Sequence, residues 1–226
     1  AYETSGGLHG VGISVVNALS VELNVEVARD KRLWTQHYVR GKPKGKLTSK
    51  PMTNRRGSTI TFHPDPEIFG DEAGLKPARL YELARSKAYL FRGVEIRWKC
   101  DASMIGKTEI PTEAAFHFPG GLIDALAEET ANRETVTPKP FTGEASFNGS
   151  GRVEWAITWP DDAKAFVSTY CNTIPTPQGG THETGMRSAL ARGLKAYGTM
   201  VKRKGASQFT TEDISGGAAL FVSLFI

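Results

Sequence analysis

The chain has 226 residues, of which 39% are hydrophobic and 23% charged, and its formal net charge is +4. These values predict one large or two small globular domains and argue against intrinsic disorder; no apolar run reaches the roughly 18 residues of a membrane span, and the N-terminal residues do not resemble a secretory signal. Cys100 and Cys171 form at most one disulfide and no zinc site, so we expect free thiols and a cytoplasmic location.

Hydrophobic periodicity and turn residues predict a β-rich chain with a few helices, divided into two halves near Phe118. The segment 40–57 contains proline, glycine and many lysines and predicts a connection, and 130–141 predicts a loop. The expected elements are, in chain order, a helix over 11–19, strands over 23–28, 33–39 and 58–62, a helix over 77–91, a strand over 94–100, a helix from residue 122, strands over 153–159 and 165–172, a helix over 185–197 and a strand over 219–226.

The positive charge is concentrated in two stretches. Ten Lys/Arg and one acid lie between Arg29 and Arg56, and six Lys/Arg and no acid lie between Thr184 and Thr211. The stretch between them has 12 bases and 18 acids, a net charge of −6. Such local basic density is an electrostatic footprint for nucleotide phosphates or nucleic acid, although a solvated hairpin and a solvated helix face explain it as well.

The glycine-rich segment at residues 5–12 has the sequence Ser-Gly-Gly-Leu-His-Gly-Val-Gly and runs directly into the first predicted helix. Glycines let a backbone approach a ligand closely, and the helix start directs unpaired N–H groups and a positive dipole end at the loop. This arrangement binds phosphate. It is not a P-loop, because no Gly-Lys-Ser/Thr follows, and no strand precedes it as in a dinucleotide fingerprint.

The longer string from Ser5 to Ser20 resembles the ATP-lid and following helix of bacterial type IIA DNA topoisomerase B subunits. Further landmarks of that family follow in order along the chain. They are Arg56-Gly57-Ser58-Thr59 with Phe62-His63-Pro64, where His63 replaces the usual tryptophan, Phe118-Pro119-Gly120-Gly121-Leu122 at the entry to the transducer domain, and Asn172-Thr173-Ile174-Pro175 with Gly179-Gly180-Thr181-His182 inside it. Between the two paralogues, Tyr2-Glu3-Thr4 and Ile13-Ser14-Val15-Val16 favour the topoisomerase IV subunit, and the gyrase subunit stays the alternative.

The resemblance implies an α+β fold in two parts. Residues 1–117 would be the C-terminal part of a GHKL (Bergerat) ATPase domain from the lid onward. Residues 118–226 would be a transducer domain of the ribosomal protein S5 domain 2-like fold, ending before the family's Gln-Thr-Lys loop. It further implies ATP and Mg²⁺ as cofactors, and double-stranded DNA, a topoisomerase A-type subunit and a second copy of the B-type subunit as partners, with no membrane.

The resemblance assigns ATP binding to residues of the lid, of the first strand and of the Gly-Ser strand. The lid backbone would wrap the phosphates, the Ser58 hydroxyl would help to hold the adenine, partly through water, and Arg29 would lie at the mouth of the pocket, where aminocoumarin inhibitors of the family bind. His9 is expected to contribute through packing or through its backbone, and not as an acid or base. The residues assigned are Gly7, Leu8, His9, Gly10, Val11, Gly12, Ile13, Ser58 and Arg29.

The resemblance also gives the second basic stretch a role, because the family's transducer lines the cavity through which captured DNA passes. We expect phosphate contacts, which depend on salt and not on base sequence. The first basic stretch is interpreted as a solvated hairpin. The candidates for DNA contact are Arg187, Arg192, Lys195, Lys202, Arg203 and Lys204.

Catalytic and metal-binding residues of the family are expected outside this chain. The family's general-base Glu, Mg²⁺-binding Asn and adenine-reading Asp precede the lid, and its transducer Lys follows the last transducer strand. The remaining histidines have no metal-ligand spacing, so no metal site is expected from His37, His63, His117 and His182. An alternative of another class is a non-catalytic nucleotide- or DNA-binding module that has kept the phosphate loop.

We therefore predict that the purified 226-residue chain alone does not hydrolyse ATP, because it would hold a phosphate cradle without a general base or the transducer lysine. Phosphate release measured with and without Mg²⁺ checks this expectation. Mg²⁺-dependent turnover by the purified chain would contradict it.

Overall fold

The computed structural model describes residues 11–70, 74–147, 151–162 and 164–226. Contacts within these residues define two compact units, one ending at Lys76 and the other beginning at Pro77, here called the N-terminal unit and the C-terminal unit. Among the described residues, no helix is long and apolar enough to cross a membrane.

The N-terminal unit is a four-stranded antiparallel sheet with strand order β3–β2–β1–β4 and a short helix at each end of its chain segment. Its central strand β1 has the alternating apolar residues that the sequence predicts at Leu23, Val25 and Val27. The elements are α1 (Gly12–Ala18), β1 (Ser20–Arg29), β2 (Arg32–Val39), β3 (Lys42–Pro51), β4 (Gly57–Pro64) and α2 (Pro66–Phe69).

The segment 40–57, predicted as a connection, is mostly the edge strand β3. Its residues are almost all exposed and it pairs only with β2, so nothing requires apolar alternation in its sequence. The prediction of a connection is therefore wrong for residues 42–51. The description of a solvated hairpin fits β2 and β3, which turn at Arg40 and Gly41.

The C-terminal unit is built on a five-stranded sheet with strand order β10–β9–β11–β8–β7, beside the two-stranded hairpin β5–β6. Strands β9 and β11 are parallel, and the other pairs are antiparallel. The elements are α3 (Pro77–Leu90), β5 (Glu95–Lys99), α4 (Ala102–Ile105), β6 (Glu113–His117), α5 (Leu122–Glu129), β7 (Phe141–Phe147), β8 (Gly151–Thr158), β9 (Phe166–Cys171), β10 (Ile174–Pro175), α6 (Thr181–Met200), α7 (Thr211–Ser215) and β11 (Ala219–Phe225).

Most predicted elements of this unit are present, but several short or exposed ones were missed. Helix α6 begins four residues before the predicted start at 185. Strand β7 was not predicted because six of its seven residues are exposed, which leaves no apolar pattern in its sequence. Strand β6 was not predicted because its five-residue sequence, Glu-Ala-Ala-Phe-His, has no strong β-former except Phe116.

Strand β11 lies at the centre of the large sheet and is buried on both faces. Ala219 and Phe221 belong to one apolar cluster, which also includes residues of α3, α5 and β6. Leu220 and Val222 belong to a second cluster, which includes residues of α6 and α7. Successive side chains of a strand point to opposite faces, so this continuous apolar strand separates two cores.

The first core crosses the joint that the sequence suggests near Phe118. It contains Tyr89 of α3, which precedes the joint, Phe118 at the joint, and Leu126 of α5, which follows it. The hydroxyls of Tyr89 and Tyr170 lie 2.5 Å apart, and burial raises the pKa of both tyrosines. The compact units therefore divide at 76/77, whereas the predicted domains divide at 117/118.

A polar contact also ties α3 to the β9–β10 turn. The Lys87 ammonium donates to the carbonyl and the hydroxyl of Thr173, each at 2.7 Å, and burial lowers the pKa of this lysine. Asn172 and Thr173 have φ angles of 47° and 66° and form the two central positions of the turn. A β-branched residue rarely adopts this conformation, so the lysine contact helps to hold a strained turn.

Truncation of Leu126 to alanine tests the first core. The side chain is fully buried, so Leu126→Ala should lower the free energy of unfolding by about 2–5 kcal/mol, through lost apolar contact and an unfilled cavity. Urea unfolding followed by circular dichroism measures the change. Ile123→Ala on the same helix is the matched control, because Ile123 is 38% exposed and should cost clearly less; equal losses would contradict the packing.

Candidate functional site

One face of the N-terminal sheet gathers apolar side chains with a single hydroxyl at one end. Strand β4 pairs with β1 so that Phe62 lies opposite Leu23, Ile60 opposite Val25, and Ser58 opposite Val27. Directly opposite residues of an antiparallel pair share a face, so these six side chains lie together. We call this surface, comprising Leu23, Val25, Val27, Ser58, Ile60 and Phe62, the apolar sheet face.

Helix α1 packs on the apolar sheet face. Its Val16, together with Leu19 and Phe62, lines a small apolar cavity of about 270 Å³. The Ser20 hydroxyl donates to the Val16 carbonyl at 2.6 Å and joins the end of the helix to β1. The helix that follows the glycine-rich segment and the hydroxyl of Ser58 are therefore on the same side of the sheet.

Among the described residues, no side chain occupies the N-terminus of α1, where an anion could bind. The helix begins at Gly12 and no side chain caps it at Val11. Val11, Gly12 and Ile13, all predicted to bind ATP, are exposed. The first N–H groups of a helix have no acceptor within the helix and lie at its positive dipole end. The other predicted lid residues, Gly7, Leu8, His9 and Gly10, lie outside the described residues.

A polar cavity of about 760 Å³ lies where β1 ends and β4 begins. It brings together Arg29 and Ser58, which are 29 positions apart in the sequence and were predicted separately. Four cationic side chains and one acid line it. Its lining residues are Val27, Ala28, Arg29, Asp30, Lys31, Arg55, Arg56, Gly57 and Ser58.

The charges of this cavity are only partly compensated. Arg29 lies 3.4 Å from Asp30, but both side chains are about four-fifths exposed, 78% and 82%, so this ion pair is weak. Arg55 is engaged more firmly, because it donates to the Glu26 carboxylate at 2.7 Å and also to the Thr59 hydroxyl. The cavity therefore keeps a positive potential that favours a polyanionic ligand.

The start of β4 is shaped by Gly57 and Arg55. Gly57 has a φ angle of 112°, a conformation that favours glycine. The next residue, Ser58, is the first residue of β4 whose side chain lies on the apolar sheet face. Arg55 joins Glu26 of β1 to Thr59 of β4 on the side of the sheet away from Ser58. Sequence reasoning counted Arg55 only within the basic stretch. It named Arg56 there and in the Arg-Gly-Ser-Thr landmark, but assigned neither arginine to the site, although both lie directly before the Gly-Ser motif.

The apolar sheet face has room for a flat apolar group. Ile60 and Phe62 are 46% and 41% exposed, although both lie in the interior of a strand. Ligand pockets are mostly lined by aliphatic and aromatic side chains with a few placed polar groups, and this face with its one hydroxyl has that composition. Sequence reasoning identified the Ser58 hydroxyl but not these apolar neighbours, which the alternation in 58–62 would have indicated.

The predicted DNA-contact residues of the C-terminal unit do not form one uniform group. Arg187 donates to the Glu183 carboxylate at 2.9 Å and to the Ser215 carbonyl at 3.4 Å, so it joins α6 to α7. Arg192 is exposed, whereas Lys195, three positions along the same side of α6, is half-buried. The exposed residues 202–204 follow the end of the helix.

The described residues contain no group of three or more His, Cys, Asp or Glu side chains placed to share a metal ion. His37 instead contacts the Asn24 side chain at 2.7 Å, and His182 contacts the Thr176 hydroxyl at 3.0 Å.

Comparison with known proteins gives the family. The model of the DNA gyrase B family matches residues 121–226. The B-type subunit of DNA topoisomerase 4 from Caulobacter vibrioides is 51% identical over the whole chain, and that of DNA gyrase from Bacillus mycoides is 33% identical over 99% of it. The chain spans 33% of the first relative's length and 54% of the second's.

A solved structure has the same fold. It is the 43K ATPase domain of Thermus thermophilus gyrase B in complex with an aminocoumarin, with a TM-score of 0.79 and 30% sequence identity, covering 96% of this chain and 58% of that one. The fold is α+β, as predicted, and is that of the GHKL ATPase region. The chain thus belongs to the B-type subunits of bacterial type IIA DNA topoisomerases, within their ATPase region, and is more similar to the topoisomerase IV subunit than to the gyrase subunit.

Proposed function

We propose that this chain belongs to an ATP-driven type II topoisomerase that relaxes or decatenates DNA. In this proposal the chain binds ATP, and its transducer part couples ATP binding to the captured DNA. The observation that supports it most directly is the shared position of α1 and Ser58 on one face of the sheet, with Arg29 lining the same cavity as Ser58. The relatives are B-type subunits of such enzymes.

In this proposal each part of the site binds one part of the nucleotide. The base lies against Val25, Val27 and Ile60, and the Ser58 hydroxyl bonds it directly or through water. The phosphates lie at the amide end of α1, where backbone N–H groups donate to them. Arg29 lies at the mouth of the site and attracts the triphosphate. A bound Mg²⁺ would supply charge neutralisation of the phosphates.

The proposal also includes the arrangement of domains and partners. Residues 1–117 belong to the ATPase domain and 118–226 to the transducer, a division supported by the family match that begins at residue 121. ATP binding brings two B-type subunits together around a DNA duplex, and the partner A-type subunit cleaves the other duplex. Such an enzyme acts on chromosomal DNA, which agrees with the expected cytoplasmic location.

Removal of the Ser58 hydroxyl tests the base contact. In the full-length protein, Ser58→Ala should weaken ATP binding about fivefold, since a lost hydrogen bond costs about 1 kcal/mol. Ser58→Thr keeps the hydroxyl and is the matched variant. Equilibrium binding of a non-hydrolysable ATP analogue gives both affinities. Equal affinities of Ser58→Ala and wild type would contradict a contact of the hydroxyl with the base, whether direct or through water.

Charge reversal of four basic residues tests the DNA contact of the transducer. Replacement of Arg192, Lys195, Lys202 and Lys204 by Glu should reduce the stimulation of ATPase activity by DNA in the full-length enzyme, because phosphate contacts become repulsive. Lys107→Glu/Lys139→Glu, which changes exposed lysines elsewhere in the unit, is the control. Unchanged stimulation in the quadruple variant would contradict the DNA contact and would indicate that these residues only form a solvated surface.

A further inference from the structure

Strand β3 has a row of lysines on one face of the N-terminal sheet. The strand pairs with β2, and three of its lysines lie opposite β2 residues that are an even number of positions apart. Side chains at such positions share a face, so the three lysines point the same way. The lysines are Lys42, Lys44 and Lys50, and their β2 partners are Val39, His37 and Leu33. We call these three lysines the β3 lysine ridge.

The β3 lysine ridge faces away from the candidate nucleotide site. His37, opposite Lys44, pairs with Asn24 of β1, and the two side chains bond at 2.7 Å. Asn24 is next to Leu23 and Val25, whose side chains belong to the apolar sheet face on the other side. The ridge is therefore separate from the surface to which we assign ATP.

The charge of the ridge is uncompensated. All three ridge lysines are exposed, and none of them has an ion-pair partner among the residues that the structure describes. A fourth exposed lysine, Lys46, lies in the irregular part of the β2–β3 pairing. On the same face, Glu26 is engaged by Arg55, and Glu22 lies on β1, two strands and about 9.5 Å away.

Protection of an exposed edge strand is the simplest alternative reason for lysines on β3. This edge already has other protection. Pro43 and Pro51 offer no N–H group to an added strand, and the pairing with β2 is interrupted between Thr35 and His37. Edge protection therefore does not by itself require three lysines on one face of the strand.

The spacing of the lysines fits a regular polyanion. Lys42 and Lys44 are two residues apart on a strand, about 6.8 Å, which is also the rise of about two phosphates along one strand of duplex DNA. Lys50 continues the row at about 14 Å from Lys44, since their β2 partners are four residues apart. We propose that the β3 lysine ridge binds the phosphate backbone of duplex DNA, a second DNA contact outside the transducer; this rests on DNA being the substrate, as proposed above.

Neutralisation of two ridge lysines tests the proposal. Binding of a short random-sequence duplex to the 226-residue chain is measured by fluorescence anisotropy over a range of KCl concentrations. For Lys44→Gln/Lys50→Gln, the slope of log K against log[salt] should fall by about 1.8, because each phosphate contact contributes about 0.9. The matched control is Lys107→Gln/Lys139→Gln, which removes the same charge from exposed positions of the C-terminal unit and should keep the wild-type slope.

The outcomes separate the two proposals. Circular dichroism and thermal unfolding first verify that both variants are folded. If the ridge variant keeps the wild-type slope while reversal of Arg192 and Lys202 lowers it, the ridge proposal is overturned and the transducer contact stands. A loss of affinity for polyglutamate with an unchanged slope for DNA assigns the ridge to an acidic protein and also overturns it. If the wild-type chain shows no salt-dependent duplex binding, neither contact is present in this chain.

Discussion

Both units depend on a central strand whose alternate side chains are divided between two faces. In the N-terminal sheet this strand is β1, and its pairing with β4 decides that Ser58 shares a face with Val27 and with helix α1. A shift of this register by one residue would move Ser58 to the opposite face and replace it by Thr59. In the C-terminal sheet β11 has the same position, and its alternation separates two apolar cores.

The separation of faces also separates the two ligands that we propose for this sheet. The apolar sheet face joins a base-sized apolar surface to a cavity lined by cations, which suits a nucleotide. The opposite face has threonines, His37 and the β3 lysine ridge, which suit a wet contact with phosphates. One thin sheet can therefore present a nucleotide on one side and a polyanion on the other, without either ligand competing for the same residues.

The compact units divide this chain at a different place from the predicted domains. Helix α3 and the β5–β6 hairpin precede the predicted joint at Phe118, yet their side chains complete the core over α5. The Tyr89–Tyr170 and Lys87–Thr173 contacts cross the same point. A family match that begins at 121 and a contact boundary at 76/77 are compatible, because sequence similarity and packing measure different properties.

Much of this protein is determined by its sequence alone. The glycine-rich segment, the Gly-Ser strand and the later landmarks were sufficient for the family, and apolar periodicity predicted the long buried elements, because burial requires that periodicity. The exposed strands β3 and β7 left no such pattern. Only the tertiary structure decided which distant residues meet: Arg29 joins Ser58 in one cavity, Arg187 is engaged by Glu183 and α7, and the lysines of β3 share one face. These outcomes depend on strand register and helix packing, which are set by the contacts of the whole fold and not by the local sequence.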